Sequence, residues 1–340
     1  EAVVRDIIES RILPEGALQL VSGKGIGILD SVQRGDTVTF TGSAKTGLSL
    51  KSSAHYLERG VPFNLEADSL NAMVMGEDVK PESPEFKIFI KEVCREITVK
   101  AGQKCTAVRR ILVQKESIEA VGEAIKNRLA TTKYGDPMLE GVRMGSLATK
   151  TQVERVQEAV SILSKENDIL FGSLSGESQA IAENPKNGAY FAPLLFLNND
   201  PVNKLLCHDI EAFGPVSTLM PYNSASDAAD IVALGKGSLV TTIVSSEKEI
   251  YKSYALAAAH SNGRVLVLDS SSAKESTGHG SPMPLLTHGG PGRAGDGEEM
   301  GGMRGVKHYL QRTALQGHPD VLTEITGRFI PGASRREANP

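Results

Sequence analysis

Residues 83–114 read "SPEFKIFIKEVCREITVKAGQKCTAVRRILVQ". Ser83 can cap a helix and Pro84 suits its first turn, while Phe86, Phe89, Ile90, Val93 and Ile97 recur on one helical face. The helix is expected to stop near Ala101–Gly102, where glycine supplies a left-handed backbone. "AVRRILVQ" follows with the character of a strand. Cys94 falls near the apolar face of the helix and is expected in the core. Cys105 instead falls in a polar loop, beside Lys104, between helix and strand.

Helix and strand alternate outward from this unit in both directions. Upstream, the pattern predicts a helix over 2–11, a strand in "GALQLVSG", a helix in "GIGILDSV" and strands at "DTVTFTGS" and Pro62–Leu65. Downstream it predicts helices over 117–131, 150–165, 224–234 and 247–261. Between them it places strands in "DILFGS", "YFAPLLFL", "GPVSTLMPY", "SLVTTIVSS" and "RVLVLD". Such alternation indicates a parallel α/β layer. Ser271 to Met303 is a long loop rich in Gly, Pro, Ser and His, and loops of that length are commonly functional or disordered. A last helical piece spans Gly305–Leu315, and "RFIPGASRREANP" reads as a linker.

The totals narrow the function classes. The chain has 340 residues, 40% hydrophobic and 23% charged, with net charge −4. No global field favours nucleic acid or an anionic membrane, and no apolar run is long enough to span one. Three cysteines fit reduced thiols in a cytoplasm, and no Cys/His cluster has metal-site spacing, so no metal is expected.

Several short motifs carry chemistry, each with a plainer alternative. A thiolate at Cys105 would be favoured by Lys104 and by free N–H groups of the turn, or Cys105 is simply a half-buried small residue. "FTGSAKTG" sets Gly42, Ser43 and Gly47 at a strand-to-helix turn, where a backbone can approach a flat or phosphorylated ligand. Its spacing is not that of the dinucleotide fingerprint. Glu66 stands where an apolar strand meets a polar loop, facing a cleft or solvent. Glu211 and Phe213 in "HDIEAFGPV" either hold a ribose and a ring or form a turn with a buried aromatic. Cys207 and His208 are adjacent, and in an extended segment they would point opposite ways and form no dyad. His279 and His288 sit in the glycine-rich loop as substrate contacts or plain surface.

Taken in order, the FTGS turn, Glu66, Gly102-Gln103-Lys104-Cys105, Gly135-Asp136-Pro137, Met144-Gly145, Glu211-Ala212-Phe213-Gly214-Pro215 and "HGGPGRAGDGEEMGG" resemble the aldehyde dehydrogenase superfamily over essentially the whole chain. "EADSLN", "AGQKCTA", "AKESTGHGSP" and "VKHYLQRTALQG" are similar to one branch. That branch is the dehydrogenase part of bifunctional bacterial phenylacetate-degradation proteins, which pair an oxepin-CoA hydrolase with a 3-oxo-5,6-dehydrosuberyl-CoA semialdehyde dehydrogenase.

The resemblance implies an α/β fold with a partial Rossmann-type cofactor domain and an α/β catalytic domain, truncated at the N-terminus. It implies a remnant of the dinucleotide-binding domain at 1–65, the catalytic domain at 66–285, a C-terminal oligomerisation segment at 286–325 and a linker at 326–340. Cys105 would be the nucleophile, its backbone N–H an oxyanion donor, and Glu66 the base that activates water. Gly42, Ser43, Gly47, Glu211 and Phe213 would hold the cofactor, NADP with NAD as the alternative. His279 and Gly280 would touch a CoA-linked semialdehyde. A homo-oligomer, a fused C-terminal hydratase-like domain and a cytoplasmic location are further implications, as are an oxyanion-hole asparagine and a ribose-binding lysine upstream of Glu1. Ala67, Asp68 and Ser69 replace the glycines that usually follow the glutamate. Glu66 argues against the acylating enzymes of the superfamily. The rival readings are a catalytically incomplete scaffold and a cysteine hydrolase.

Overall fold

The structure, a computed structural model, describes residues 1–23, 26–176, 179–283, 285–299 and 302–334. It divides into two compact units, Glu1–Gly301 and Gly302–Pro340. The first holds a two-stranded parallel sheet, β1 (Val38–Thr41) with β2 (Phe63–Glu66), whose register ends at Thr41 opposite Glu66. It also holds a seven-stranded sheet. Its strands are β3 (Asn71–Met75), β4 (Val108–Gln114), β5 (Asp168–Phe171), β6 (Leu194–Leu197), β7 (Val216–Tyr222), β8 (Ser238–Val244) and β9 (Asn262–Leu268). Their order is β5-β6-β7-β4-β3-β8-β9, and only the β5–β6 pair is antiparallel.

Helices cover both faces, so the central strands are buried on both sides. Ala72 and Val74 of β3 face one core with helices Lys150–Leu163, Ala225–Ala233 and Lys248–Ala258. Met73 and Met75 face the other, with helices Pro84–Thr98 and Ile118–Ala130. Helix Pro84–Thr98 starts as its sequence predicts: Ser83 Oγ accepts from the Phe86 N–H, and Phe89, Ile90, Val93 and Ile97 are buried. Cys94 is in the same core.

Some expectations fail for physical reasons. "GALQLVSG" forms no strand: Leu20 and Val21 are exposed, and a strand without a ladder partner does not persist. "GIGILDSV" forms a 3₁₀ helix, Ile26–Ser31. β3 itself was not anticipated, because "NAMVM" lacks both alternation and β-branched bulk. In the second unit the helices are Gly302–His308 and Pro319–Thr326, the latter unforeseen, with His318 as its cap. The expected linker over 326–340 lies outside the described residues from 335 onward. Among the described residues no helix is long and apolar enough to cross a membrane.

Candidate active site

A short strap, Ala67–Leu70, connects the end of β2 to the start of β3, so Glu66 stands at the seam between the two sheets. Cys105 approaches the same seam from the turn before β4. That turn is tightly wound. Lys100, Ala101 and Gly102 all have left-handed backbones, with φ of 54°, 52° and 68°. Gly102 also lies against the 211–215 loop, where a Cβ would fall 2.1 Å from the Gly214 carbonyl oxygen. Only glycine satisfies both demands, so the close approach joins the cysteine loop to the loop carrying Glu211 and Phe213.

The thiol of Cys105 is half-buried and lines the same cavity wall as the Glu66 carboxylate. Burial first, and the Glu66 charge second, push the thiol up to about 12, with Glu299 adding a further negative charge and the Thr106 N–H opposing the rise. Lys104 does not act as the thiolate's counter-ion, contrary to the sequence expectation. Its Nζ lies 2.6 Å from Glu96 Oε2, and that carboxylate is buried.

Cys105 and Glu66 line a cavity of about 520 Å³, together with Gly42, Ser43, Glu211 and Phe213. Ser43 caps helix Ala44–Lys51, its Oγ accepting from the Thr46 N–H. Gly47 is not on the cavity wall; a Cβ there would sit 2.3 Å from Leu65 Cδ1, so this glycine serves helix-on-sheet packing. Glu211 is held from two sides, by Arg109 Nε (3.3 Å) and by the Ser69 N–H (3.1 Å). Burial raises its carboxyl and the adjacent Arg109 charge opposes that. Each carboxylate oxygen keeps a lone pair, so Glu211 can still accept from a ligand's hydroxyls. The Phe213 ring has the Arg109 guanidinium 5.4 Å from its centroid and is partly exposed. The site therefore gathers a buried carboxylate, a ring face, a thiol and a second carboxylate around one space.

Sequence reasoning missed other wall residues. Gln152 and Arg155 face the cavity from one helical turn, a spacing legible once the helix over 150–163 is known. Asp68 accepts from the Ala44 N–H (3.0 Å) and lies 3.6 Å from Arg293. Arg109 and Asn71 are buried and have no local signature.

His279 and Gly280 do not line the cavity. His279 is fully buried, with Nδ1 2.7 Å from Thr242 Oγ1, and burial with the nearby Arg264 pushes its imidazole down to about 3. The Gly280 carbonyl accepts from Thr106 Oγ1 (3.4 Å), and a Cβ at Gly280 would meet Lys104 Nζ at 2.1 Å. Both residues back the cysteine turn, which corrects the expected substrate contact. Cys207 and His208 lie in a helical turn, Leu206–Asp209, not in extended chain. They still form no dyad: Cys207 Sγ accepts from Asn198 Nδ2 (3.2 Å), and His208 is bound by Arg110 and the Pro201 carbonyl. Among the described residues no group of three His, Cys, Asp or Glu side chains is gathered to hold a metal.

Comparison with known proteins agrees with this geometry. The chain is 38% identical over 291 residues to a 3,4-dehydroadipyl-CoA semialdehyde dehydrogenase of Aromatoleum evansii, covering 86% of this chain and 56% of that protein. It is 45% identical over 195 residues to protein MaoC of Klebsiella aerogenes, 57% of this chain and 56% of that protein. Among solved structures, betaine aldehyde dehydrogenase of Staphylococcus aureus, in complex with NAD+, superposes with a TM-score of 0.76 at 21% identity. That match covers 90% of this chain and 58% of the other, which shows the shared fold. The chain thus spans little more than half the length of these proteins. The family model for aldehyde dehydrogenases matches residues 2–315, and with the fold and these relatives it follows that the chain belongs to the aldehyde dehydrogenase family.

Proposed function

We propose that this chain carries the catalytic centre of an NAD(P)-dependent aldehyde dehydrogenase, with a CoA-linked semialdehyde of aromatic-acid degradation as substrate. The observation that supports it most is that Cys105 and Glu66 share the wall of one cavity with Glu211 and Phe213. The substrate class rests on the A. evansii relative and on the strap and loop motifs shared with that branch.

Cys105 adds through sulfur to the aldehyde carbon, its proton leaving to solvent, and the product is a thiohemiacetal oxyanion. NAD(P), when bound, supplies the oxidant that accepts the hydride from that carbon. Glu211 would accept the nicotinamide ribose hydroxyls, Phe213 would brace the ring, and the Gly42–Ser43 turn would line its path. The oxidised carbon then remains on Cys105 as a thioester. Glu66 takes a proton from water, hydroxide adds, and the thiolate leaves with the acid released. A homo-oligomer, a cytoplasmic location and a C-terminal hydratase-like domain on the full polypeptide belong to the same proposal.

The test is reduced-cofactor absorbance with NADP or NAD and a medium-chain aldehyde, in this chain and in one extended to the length of its relatives. Activity lost in Cys105→Ala supports the proposal. Glu66→Gln should keep a first burst of reduced cofactor while steady turnover falls at least 100-fold. A second reading, a catalytically incomplete module, is favoured by the fraction of its relatives that the chain spans. It predicts activity only in the extended protein.

A further inference from the structure

Asn71 opens β3 and is fully buried. Its Nδ2 donates to the carbonyls of Cys105 (2.8 Å) and Ala107 (3.1 Å). Its Oδ1 accepts from Ser69 Oγ (2.7 Å) and from the Val240 N–H (3.1 Å). The amide has only one workable orientation, since a flip would set its oxygen against two carbonyls. Ser69 extends the network: its Oγ accepts from the Leu239 N–H (2.9 Å) and its own N–H donates to Glu211 Oε2.

The backbone explains why a side chain is needed there. The β3–β4 register slips between Asn71, opposite Val108, and Ala72, opposite Arg110. This bulge takes the regular ladder away from the start of β4, and the Asn71 amide meets the carbonyls on either side of Thr106 instead. The strap that follows Glu66 and the turn that bears Cys105 are thereby tied at one point.

We infer that Asn71 is a positioning residue that holds the Cys105 turn against the strap that follows Glu66, keeping the sulfur on the cavity wall beside the carboxylate. The inference rests on the reading of Cys105 and Glu66 as nucleophile and base, and nothing in it requires bound cofactor. The charged groups acting on the thiol are Glu66, Glu299 and Arg109. If Asn71 keeps the sulfur beside the Glu66 charge, removing the amide and removing that charge release the same constraint.

The experiment is a double-mutant cycle on the 340-residue chain, read as the rate of Cys105 alkylation by iodoacetamide at pH 8 and located by peptide mass. Asn71→Ala and Glu66→Gln should each speed alkylation at least tenfold. The double variant should exceed the faster single variant by less than twofold. Rates that multiply in the double variant, or an effect of either single variant below twofold, overturn the inference. Asn71→Asp keeps the acceptor toward Ser69 and Val240 but loses the donors, and should match the alanine variant. Cys94 and Cys207 are buried and report loss of fold. Should they react in the Asn71 variants, Ser69→Ala takes their place in the cycle, with an acceleration of threefold or more expected and one below twofold overturning the inference. Absence of aldehyde oxidation in the extended protein would defeat the proposed activity and leave this cycle standing.

Discussion

Arg109 and Glu211 form an ion pair beneath the cavity floor, Nε to Oε1 3.3 Å, with side chains only 4% and 8% exposed. Arg109 also donates to the carbonyls of Gly214 (2.7 Å) and Gly102 (2.8 Å), so one guanidinium joins the cysteine turn to the Glu211 loop. Breaking a buried pair leaves an uncompensated charge, which costs about 3–5 kcal/mol. Arg109→Met should lower stability to urea by that order, and Arg109→Met/Glu211→Gln should recover a large part. Arg109→Lys should recover little, because a single ammonium does not reproduce the three-way fork. A loss below about 1 kcal/mol in the methionine variant, the scale of an exposed pair, would contradict the pair's role.

Lys104 adjoins Cys105 in sequence but pairs with Glu96. Lys104→Met should therefore leave the Cys105 alkylation rate at pH 8 within twofold of wild type while destabilising the fold. Burial already raises the Glu96 carboxyl, and the lysine opposes that rise. Without the lysine, the folded value moves further above the unfolded one. Stability is then retained at low pH and lost as pH rises, so urea titrations at pH 5 and pH 8 should show the larger deficit at pH 8. An equal deficit at both would mean that Glu96 is held by other groups.

What the sequence revealed followed what is local. The cap at Ser83, the apolar stripe over 86–97 and the strand–helix alternation are properties of neighbouring residues, and the elements form there. The strand at 71–75 was hidden because a central strand buried on both faces needs no alternation. Within the site, Cys105, Glu66, Glu211 and Phe213 each announce themselves by a motif, and the structure brings them to one cavity. Their supports do not. Glu96 is chosen as partner of Lys104 by the path of the turn, and Asn71 and Arg109 act across strands. His279 was misjudged because composition marks its segment as surface loop, whereas the residue inserts beneath Thr242 and Arg264.

Gly102 is fixed by contact more than by conformation. Lys100 and Ala101 show that this turn accepts a left-handed backbone without glycine. At Gly102, however, the obstacle to a Cβ is the Gly214 backbone at 2.1 Å, which no side-chain rotation relieves. Gly102→Ala should lower stability by more than the ~1 kcal/mol expected for a left-handed alanine alone, and Ala101→Gly should be tolerated. Thermal unfolding of the two variants decides between contact and conformation.

His208 couples the fold to acid through burial. Its Nε2 lies 2.8 Å from the Pro201 carbonyl, so that nitrogen carries the proton, and Nδ1 accepts from Arg110 Nη1 at 3.0 Å. Protonating Nδ1 would set two buried cations face to face. Burial first, and then the Arg110 charge, push the imidazole down to about 4. Between that value and the ordinary ~6.5, the unfolded chain binds a proton that the folded chain does not, so stability falls as pH is lowered through this window. The slope approaches about 1.4 kcal/mol per pH unit for this one residue. His208→Asn keeps an acceptor toward Arg110 without the titrating group. It should flatten the stability curve between pH 6 and pH 4.5 relative to wild type. Parallel curves for wild type and His208→Asn would place the acid sensitivity elsewhere, His279 being the other buried imidazole pushed down by its surroundings.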